Sequence, residues 1–588
     1  MKKYVLFLMF SLVLLLIIAT GCAYHLATGT YQKEECPIHF AVIGDRTGGH
    51  TPGIYGKITE EIERLKPDFV ITIGDMIEGY TDDTTVVNSQ WKEYKSLIAP
   101  FTMPVYFTPG NHDIWDEASL KLYQNHIGNP YYSFDFKGLH FVILDNSRWR
   151  PGIELPEEQI NWLISDLGKN KKAPYTFVFI HKPFWFETIA DNKTDTLHSL
   201  FSNYGVDAVF TGHYHTYFSD KFDNILYTSI GSSGGSCEPG PTGLEYHFVW
   251  VAANKRGISI APIKIGGVLP WKEVTATDLK FIDRIYLSGI EFEKPLPVSE
   301  DITVESTEVA VKLKNLNLDF LLEDTISWKV PEGWSVEPES LPIRIMAGDS
   351  STIRFSIKNK GNLYPVPVLS VHFPYSESKT CEIKKPLPAA RKTYCYQVST
   401  QPVIDGKISE PIWHNPVSLL FSPDGSQGTI DSVYFYFSYD EVNIYIAAYC
   451  KELKMDSMVA TVTDHDGTMY NEDYVGYLFQ PDIEKNVVYQ IYFNPLGTAF
   501  DQKITMNPEG ELDIDRSWNG TYEVNTTKGN DFWSIEARIP LKHFEVEVKP
   551  GQRWGLNFWR KQRRFNSTAD WQIPISYDPS TFGDLIME

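Results

Sequence analysis

Cysteine is scarce in this sequence. The 588 residues include 6 cysteines, and no pair of them has the spacing of a zinc site built from cysteine ligands. After Cys22 an odd number remains, so at least one of them is unpaired within a monomer. Cys381 and Cys395 lie close together along the chain, so a disulfide bond between them is an open alternative. Cysteine-based metal binding is therefore not expected here.

Positive charge is also in deficit. There are 53 Lys and Arg residues against 75 Asp and Glu residues, a formal net charge of −22. A nucleic-acid-binding surface needs basic stripes, so this balance argues against such a partner. Any anionic ligand has to be drawn in by local positive charge. The hydrophobic share of 43% is ordinary for globular protein, and the length suggests three or four domains.

The first 22 residues have the pattern of an export signal. Lys2 and Lys3 precede an almost entirely apolar run over residues 4–19, and Ala19-Thr-Gly-Cys22 resembles a bacterial lipoprotein cleavage box. We therefore expect a signal peptide over 1–22, a spacer over 23–36, and an extracytoplasmic protein lipid-anchored at Cys22 in a bacterial cell envelope. The alternative is an uncleaved membrane anchor, because the run approaches the length that spans a bilayer.

Five short runs of β-branched or aromatic residues each end in polar side chains. Runs that are apolar on both faces are typical of strands buried on both sides. The polar residues that follow them are, in chain order, Asp45, Asp75, Asn111-His112-Asp113, His181, and His213 with His215. We expect these side chains to converge at one edge of a central sheet, where ligands gather in such proteins. Their oxygen and nitrogen atoms suit one or two divalent ions such as Mn, Fe, Zn or Ni.

The order and spacing of these motifs resemble the calcineurin-like metallophosphoesterases, over residues 37–275. The resemblance implies an α/β sandwich and a centre of two metal ions bridged by Asp75. It assigns Asp45 and His215 to one ion, and Asn111, His181 and His213 to the other. It also implies that His112 donates a proton to the leaving oxygen and that Asp113 holds His112 in orientation.

The first motif departs from that family. The family usually has Asp-x-His, whereas Thr47 stands at the histidine position here. Purple acid phosphatases use a Tyr three residues after the bridging Asp, and Glu78 occupies that place. Either Glu78 or a water is expected to replace the ligand. Arg46 is a candidate for binding substrate phosphate, with a surface Arg in a loop as the equally weighted alternative.

Helical periodicity favours helices over 55–66, 90–97 and 156–167, between the strands. Residues 280–390 change to short alternating runs separated by turns, which predicts an immunoglobulin-like β-sandwich acting as a spacer. Residues 386–392 are expected to be the linker that leaves it. The fold class is thus an α/β sandwich followed by two all-β sandwich domains.

Residues 397–588 resemble carbohydrate-binding module family 9, beginning with Val403-Ile-Asp-Gly-Lys-Ile-Ser-Glu-Pro-Ile-Trp413. A sugar binder offers flat aromatic rings, and Trp518 and Trp571 are the candidates. Related modules often carry an acid where this chain has Gly476. A structural module that binds no sugar therefore remains an alternative.

Two functions from different classes follow. The first is a membrane-tethered, extracytoplasmic phosphoesterase that hydrolyses a phosphate mono- or diester with two metal ions, held near a glycan by its last domain. The second is a surface glycan-binding or adhesion protein whose phosphoesterase-like domain is not catalytic. The absence of a histidine at Thr47 motivates the second.

Overall fold

The computed structural model describes residues 37–81, 83–148, 155–237, 240–299, 302–428, 430–507 and 512–588. The predicted signal peptide, the anchor at Cys22 and the spacer lie outside these residues. The chain divides into two compact units, Met1–Leu279 and Lys280–Glu588. In the part of the chain that the structure describes, none of the helices is both long and apolar enough to span a bilayer.

The first unit alternates strands and helices. Its strands are β1 (Ile38–Ile43), β2 (Phe69–Thr72), β3 (Val105–Phe107), β4 (Tyr132–Phe136), β5 (Leu139–Ile143), β6 (Thr176–Phe179), β7 (Ala208–Thr211), β8 (Phe218–Phe222), β9 (Ile225–Ser229), β10 (His247–Asn254), β11 (Gly257–Lys264) and β12 (Gly267–Val268). Its helices are α1 (Ile54–Leu65), α2 (Thr84–Ile98), α3 (Glu117–His126), α4 (Glu157–Asn170), α5 (Phe184–Glu187) and α6 (Thr196–Tyr204), and α7 (Ala276–Ser288) crosses the boundary between the units.

Two six-stranded sheets form the centre of this unit. Their strand orders are β12-β11-β10-β1-β2-β3 and β4-β5-β6-β7-β9-β8. Aromatic side chains fill the space between them, with Phe69 and Phe141 at 5.1 Å and Phe40 and Phe177 at 5.3 Å between ring centroids. Helices α1, α2 and α3 bury apolar side chains on the outer face of the first sheet. The predicted α/β sandwich is confirmed.

The strands that deliver the candidate ligands belong to both sheets rather than to one. β1, β2 and β3 are adjacent and parallel in the first sheet, and β6 and β7 are adjacent and parallel in the second. The expectation of a single central sheet was therefore wrong. A strand that is buried on both faces has the same apolar sequence pattern whether helices or a second sheet cover those faces. The pattern therefore does not show how many sheets there are.

The second unit begins with a β-sandwich. Two four-stranded antiparallel sheets, β13-β15-β19-β17 and β18-β16-β20-β21, share one core, in which Trp328 and Phe355 meet edge to face. The strands are β13 (Ile290–Phe292), β14 (Leu296–Pro297), β15 (Val304–Lys314), β16 (Leu322–Lys329), β17 (Trp334–Glu337), β18 (Ser340–Ile345), β19 (Ser350–Asn359), β20 (Val368–Ser376), β21 (Lys379–Pro386) and β22 (Ala389–Ala390).

The remaining strands form a second, larger sandwich. They are β23 (Lys392–Gln397), β24 (Val433–Tyr439), β25 (Asn443–Lys451), β26 (Tyr474–Gln480), β27 (Val487–Phe493), β28 (Ala499–Met506), β29 (Leu512–Asp515), β30 (Glu523–Lys528), β31 (Phe532–Pro540), β32 (Arg553–Gln562), β33 (Ser567–Asp570) and β34 (Gly583–Met587). β23 pairs with β34 on one side and β24 on the other, so it joins the two halves. Their inward side chains share one core.

Two expectations for this unit differ from the structure. The segment predicted as a linker contains β22, which pairs with β14, and the buried Arg391, whose Nη1 donates to the carbonyls of Leu419 and Trp571. Cys381 and Cys395 are both free and buried, so the disulfide bond considered between them is not formed.

Candidate metal centre

Six predicted ligands come together where strands of the two sheets end. Asp75, His181 and His213 offer ligand atoms within 4.8 Å of one another, and so do Asp45, Asp75 and His215. The groups share Asp75, which is the arrangement predicted for a bridging carboxylate. Asn111 joins the first group, because its Oδ1 lies 3.1 Å from His181 Nε2.

The two carboxylates are held in place by backbone N–H groups of neighbouring site segments. The N–H of His213 donates to Asp45 Oδ2 at 2.9 Å, and the N–H of His112 donates to Asp75 Oδ1 at 2.9 Å. Asp75, His213 and His215 all have positive φ, at 53°, 76° and 54°. Asp and His adopt this left-handed conformation more readily than most residues. Turns of this kind point the ligands back toward the strand ends.

Backbone carbonyls fix the orientation of two imidazoles. His181 Nδ1 lies 2.8 Å from the carbonyl of Ile73, and His215 Nδ1 lies 2.9 Å from that of Ser236. In each ring Nδ1 therefore donates to a carbonyl, which turns Nε2 toward the carboxylates, where a ligand to a bound cation would lie. The Nε2 atoms lie 3.2 Å from Asp75 Oδ2 and 3.3 Å from Asp45 Oδ2, respectively.

Two buried atoms of the centre have no partner in the described residues. These are Asp45 Oδ1 and His213 Nδ1, and Asp45 is fully buried. Buried polar atoms are normally satisfied, so an unmet acceptor pair at this point fits the positions of ligands to cations. The donor set of carboxylate, amide oxygen and imidazole is the one that divalent transition ions prefer.

The electrostatics favour the ligating forms of two residues. Burial, together with the charge of His181, lowers the pKa of His213 to about 3, so its imidazole is neutral at physiological pH. Burial alone would raise the pKa of Asp75, but the charge of His181 outweighs it and holds that pKa below its usual range. A neutral imidazole and an ionised carboxylate are the forms that bind metal.

His112 faces the open pocket beside the ligands. The pocket has a volume of about 400 Å³ and is lined by Gly48, Asp75, Asn111, His112, His213, Tyr214, His215, Thr216 and Ser236. His112 Nδ1 lies 2.7 Å from the carbonyl of Glu78, which acts as its hydrogen-bond acceptor. The ring of Tyr80 meets that of His112 edge to face at 4.9 Å, and its hydroxyl accepts from Asn111 Nδ2.

Asp113 does not orient His112, contrary to the expectation from the resemblance. Its carboxylate accepts from the backbone N–H groups of Gly110, Met76 and Ile77, at 2.8, 2.9 and 3.3 Å. Burial, reinforced by the charge of Asp75, raises its pKa. Asp113 therefore ties the turn after β3 to the turn after β2, and the Glu78 carbonyl takes the orienting role.

Arg46 is not available to bind substrate phosphate, and it is not a surface residue either. It is 4% exposed, and its guanidinium donates to the carbonyl of Met76 and to Glu93. It is absent from the lining of the pocket. Both expectations for Arg46 were thus wrong, because its partner Glu93 lies on α2, too far along the chain for a local pattern to identify it.

Glu78 does not replace the missing ligand, and Thr47 at the histidine position faces the backbone. Thr47 Oγ1 donates to the carbonyls of Asp75 and Ile77, and the Glu78 carboxylate pairs with His50 Nδ1 at 2.6 Å. Among the described residues, the group of Asp45, Asp75 and His215 therefore holds three acidic or imidazole ligands. Of the two expected replacements, a water is the one that remains for the fourth ligand.

Two glycines let the turns approach each other. A Cβ at Gly110 would overlap the carboxylate of Asp75, and a Cβ at Gly74 would lie 2.6 Å from His181 Nδ1. Gly74 also has a φ of 109°, which side chains rarely adopt. Ser232 and Ser233 in the loop after β9 are buried too, and Ser233 Oγ accepts from the N–H of Gly44. The rim is thus close-packed.

The two tryptophans proposed to bind sugar differ. Trp571 is 1% exposed and stacks on Phe558, with the Arg391 guanidinium over its ring, so it is a core residue and the prediction for it was wrong. Trp518 is partly exposed and contacts Tyr489, with 5.0 Å between ring centroids. It stays the one candidate of the pair with accessible surface.

Residues 38–217 match the family model described as calcineurin-like phosphoesterase. The predicted resemblance of this domain is confirmed. The chain is 32% identical over 235 residues to purple acid phosphatase 21 of Arabidopsis thaliana, covering 34% of this chain and 51% of that protein. It is 25% identical over 249 residues to the serine/threonine-protein phosphatase CPPED1 of Mus musculus, covering 38% and 79%. The chain thus spans about half the length of the plant phosphatases it matches.

Solved structures are likewise similar to parts of this chain. The purple acid phosphatase PPD1 of Lupinus luteus is 18% identical, with a TM-score of 0.33, covering 41% of this chain and 54% of that one. A carbohydrate-binding module family 9 from Caldicellulosiruptor kristjanssonii, in complex with cellotriose, is 18% identical with a TM-score of 0.24, covering 34% and 93%.

Proposed function

We propose that the first unit hydrolyses a phosphate mono- or diester with the help of two divalent cations. The observation that carries the proposal is that Asp75 belongs to both ligand groups. Asp45, Asp75 and His215 would hold one ion, and Asp75, Asn111, His181 and His213 the other. Mn, Fe, Zn and Ni all suit this donor set. A bound pair of such ions supplies Lewis acidity and a water that is acidic near neutral pH.

His112 is the residue of this chain suited to protonate the leaving oxygen. Its Nδ1 is engaged by the Glu78 carbonyl, so Nε2 is the atom left to give up a proton. The residue lines the pocket beside Asp75 and Asn111, within the space where a substrate would lie. A departing alkoxide needs a proton, and imidazole supplies one near neutral pH.

The pocket lining contains no Lys or Arg among the described residues. Because the chain carries a net charge of −22, an anionic substrate has to be held by the cations and by His112. Binding and catalysis would therefore be lost together when the cations are removed.

Replacing Asp75 tests the proposal. We expect Asp75→Asn to lose two metal ions per chain in elemental analysis, together with the release of p-nitrophenol from a monoester and a diester probe, p-nitrophenyl phosphate and bis-p-nitrophenyl phosphate. Asp223→Asn is a matched control, because Asp223 also has positive φ and pairs with a histidine, His198, at 3.1 Å. It should keep both metal and activity.

A metal content unchanged by Asp75→Asn would contradict the bridging assignment. If wild-type protein bound both ions and released p-nitrophenol from neither probe, the non-catalytic alternative would be favoured. In that case the surface glycan-binding function would account for the chain.

The surroundings of the enzyme are a further part of the proposal. The N-terminal pattern ending at Cys22 supports a lipid-anchored, extracytoplasmic protein, and the resemblance of residues 397–588 to sugar-binding modules supports a nearby glycan. Trp518 would supply the aromatic face for a sugar ring, since it is partly exposed.

A further inference from the structure

A second cluster of metal-ligating side chains lies in the larger β-sandwich. His465, Asp466 and Asp501 offer ligand atoms within 4.8 Å of one another. His465 Nε2 lies 3.0 Å from Asp501 Oδ2 and 3.4 Å from Asp466 Oδ1. His465 and Asp466 stand in the turn before β26, and Asp501 lies on β28.

Asp501 is the observation that separates this cluster from an ordinary ion pair. Its side chain is fully buried, and Oδ2 accepts from the hydroxyl of Tyr522 at 2.8 Å and the N–H of Gly520 at 3.2 Å. Oδ1 of the same carboxylate has no hydrogen-bond partner in the described residues. A buried carboxylate oxygen left without a donor is unfavourable, and a cation would satisfy it.

The charge balance points the same way. Two carboxylates face a single imidazole, and the N–H of Asp501 also donates to Asp466 Oδ1, which fixes the second acid in place. His465 is 40% exposed, so an ion can reach the cluster from solvent. One nitrogen and several oxygens suit a divalent transition ion better than Ca²⁺ or Mg²⁺, which favour oxygen alone.

We propose that His465, Asp466 and Asp501 form a structural site for one divalent transition ion such as Zn²⁺, separate from the phosphoesterase centre. The ion would tie the turn before β26 to β28. Through Tyr522 and Gly520 it would also steady the segment that follows β29 and carries Trp518. This proposal does not depend on whether the first unit is an enzyme.

Counting zinc in the full chain tests it. After Zn²⁺ loading and desalting, His465→Ala should contain one zinc ion per chain fewer than wild type, whatever number the first unit holds. Asp466→Asn should show the same loss and keeps a side-chain oxygen for the N–H of Asp501, so it serves if the first variant fails to fold. His372→Ala is the matched control, since His372 is exposed and pairs with one carboxylate, Asp324, at 3.3 Å.

An equal zinc count in wild type, His465→Ala and Asp466→Asn would overturn the proposal. So would a site that takes up Ca²⁺ but no Zn²⁺, because the imidazole would then not be a ligand. Loss of one zinc in His372→Ala as well would show that the count follows general surface histidines and would overturn it too.

Discussion

At the scale of single residues, the partner of a side chain decides its role. His112 is oriented by the backbone carbonyl of Glu78. The carboxylate of Asp113, which was expected to orient it, accepts hydrogen bonds from backbone N–H groups instead. Because the acceptor is main chain, no side-chain substitution at Glu78 removes it. The imidazole itself is the group to change.

We expect His112→Ala to lower kcat by about 10²- to 10⁴-fold, the usual contribution of a general acid, while the metal content stays unchanged. The loss should be larger for an alkyl phosphate ester than for p-nitrophenyl phosphate, because nitrophenolate leaves without needing a proton. Steady-state kinetics with both substrates measures this difference. His126→Ala, a histidine outside the pocket lining, is the control. Equal losses on the two substrates would argue against the acid role.

The convergence of the six candidate ligands could be predicted from the sequence, because each follows a strand that ends at the same rim. The roles of Asp113, Arg46 and Trp571 could not, since a carboxylate, a guanidinium or an indole is equally compatible with a site or a buried network. Their partners come from segments distant in the chain, such as Glu93 on α2 for Arg46. The carbonyls of Ile73, Glu78 and Ser236 leave no signal in the sequence at all.

At the scale of elements, the centre depends on how closely the turns after β2 and β3 approach. Gly110 has no room for a side chain against Asp75. We expect Gly110→Ala to displace the bridging carboxylate and lower kcat/KM by about 10²-fold or more, as misplacements of about 1 Å do. Metal titration and kinetics measure the effect.

Gly56→Ala is the control for this change. Gly56 lies on α1 with nothing near the position of a Cβ, and alanine is the better helix former, so activity should be unchanged and stability equal or higher. A Gly110→Ala variant with wild-type metal affinity would show that the turns can separate without cost.

A buried histidine links β5 to its neighbours. His140 is buried, with Nδ1 at 2.7 Å from Asp135 and Nε2 at 2.8 Å from Asp166 on α4. Burial alone would lower its pKa, but the hydrogen bonds to Asp166 and Asp135 outweigh burial and raise it. The folded protein therefore retains a proton that the unfolded chain gives up near pH 6.5.

The stabilisation by protonated His140 is complete below about pH 6.5 and is lost as pH rises through the folded pKa. We expect the free energy of unfolding of wild type to fall relative to His140→Gln in that window, by up to about 1.4 kcal/mol per pH unit. Denaturant unfolding of both proteins from pH 5.5 to 9, at constant metal concentration, measures it. Parallel profiles for the two proteins would rule out this linkage.

Element types in both units could be predicted, because hydrophobic alternation and helical periodicity are local. Of the predicted helices, the one over 55–66 is α1 shifted by one residue, and those over 90–97 and 156–167 are shorter than α2 and α4. The division of the strands between two sheets could not be predicted, because it depends on which strands pair. Nor could β22 in the expected linker, since a strand of two residues has no periodicity.

At the scale of the whole molecule, the predicted anchor would decide where the protein meets its substrate. A lipid at Cys22 would hold the enzyme at a surface, so its substrate would be met there rather than in bulk solution. We expect Cys22→Ser to move the protein from the membrane fraction to the soluble fraction of cells, with kcat on soluble substrates unchanged. Fractionation and immunoblotting measure this. Retention of Cys22→Ser in the membrane fraction would favour the uncleaved anchor instead.

The left-handed turns at Asp75 and His213 are fastened by hydrogen bonds from one ligand segment to another. The cage of ligands is therefore assembled by folding itself, before any cation arrives. If cations bind as proposed, an incoming ion would spend little of its binding energy on ordering the chain, and one ion could be exchanged for another while the domain stays folded. The fold would then dictate the geometry, and the cation would adapt to it.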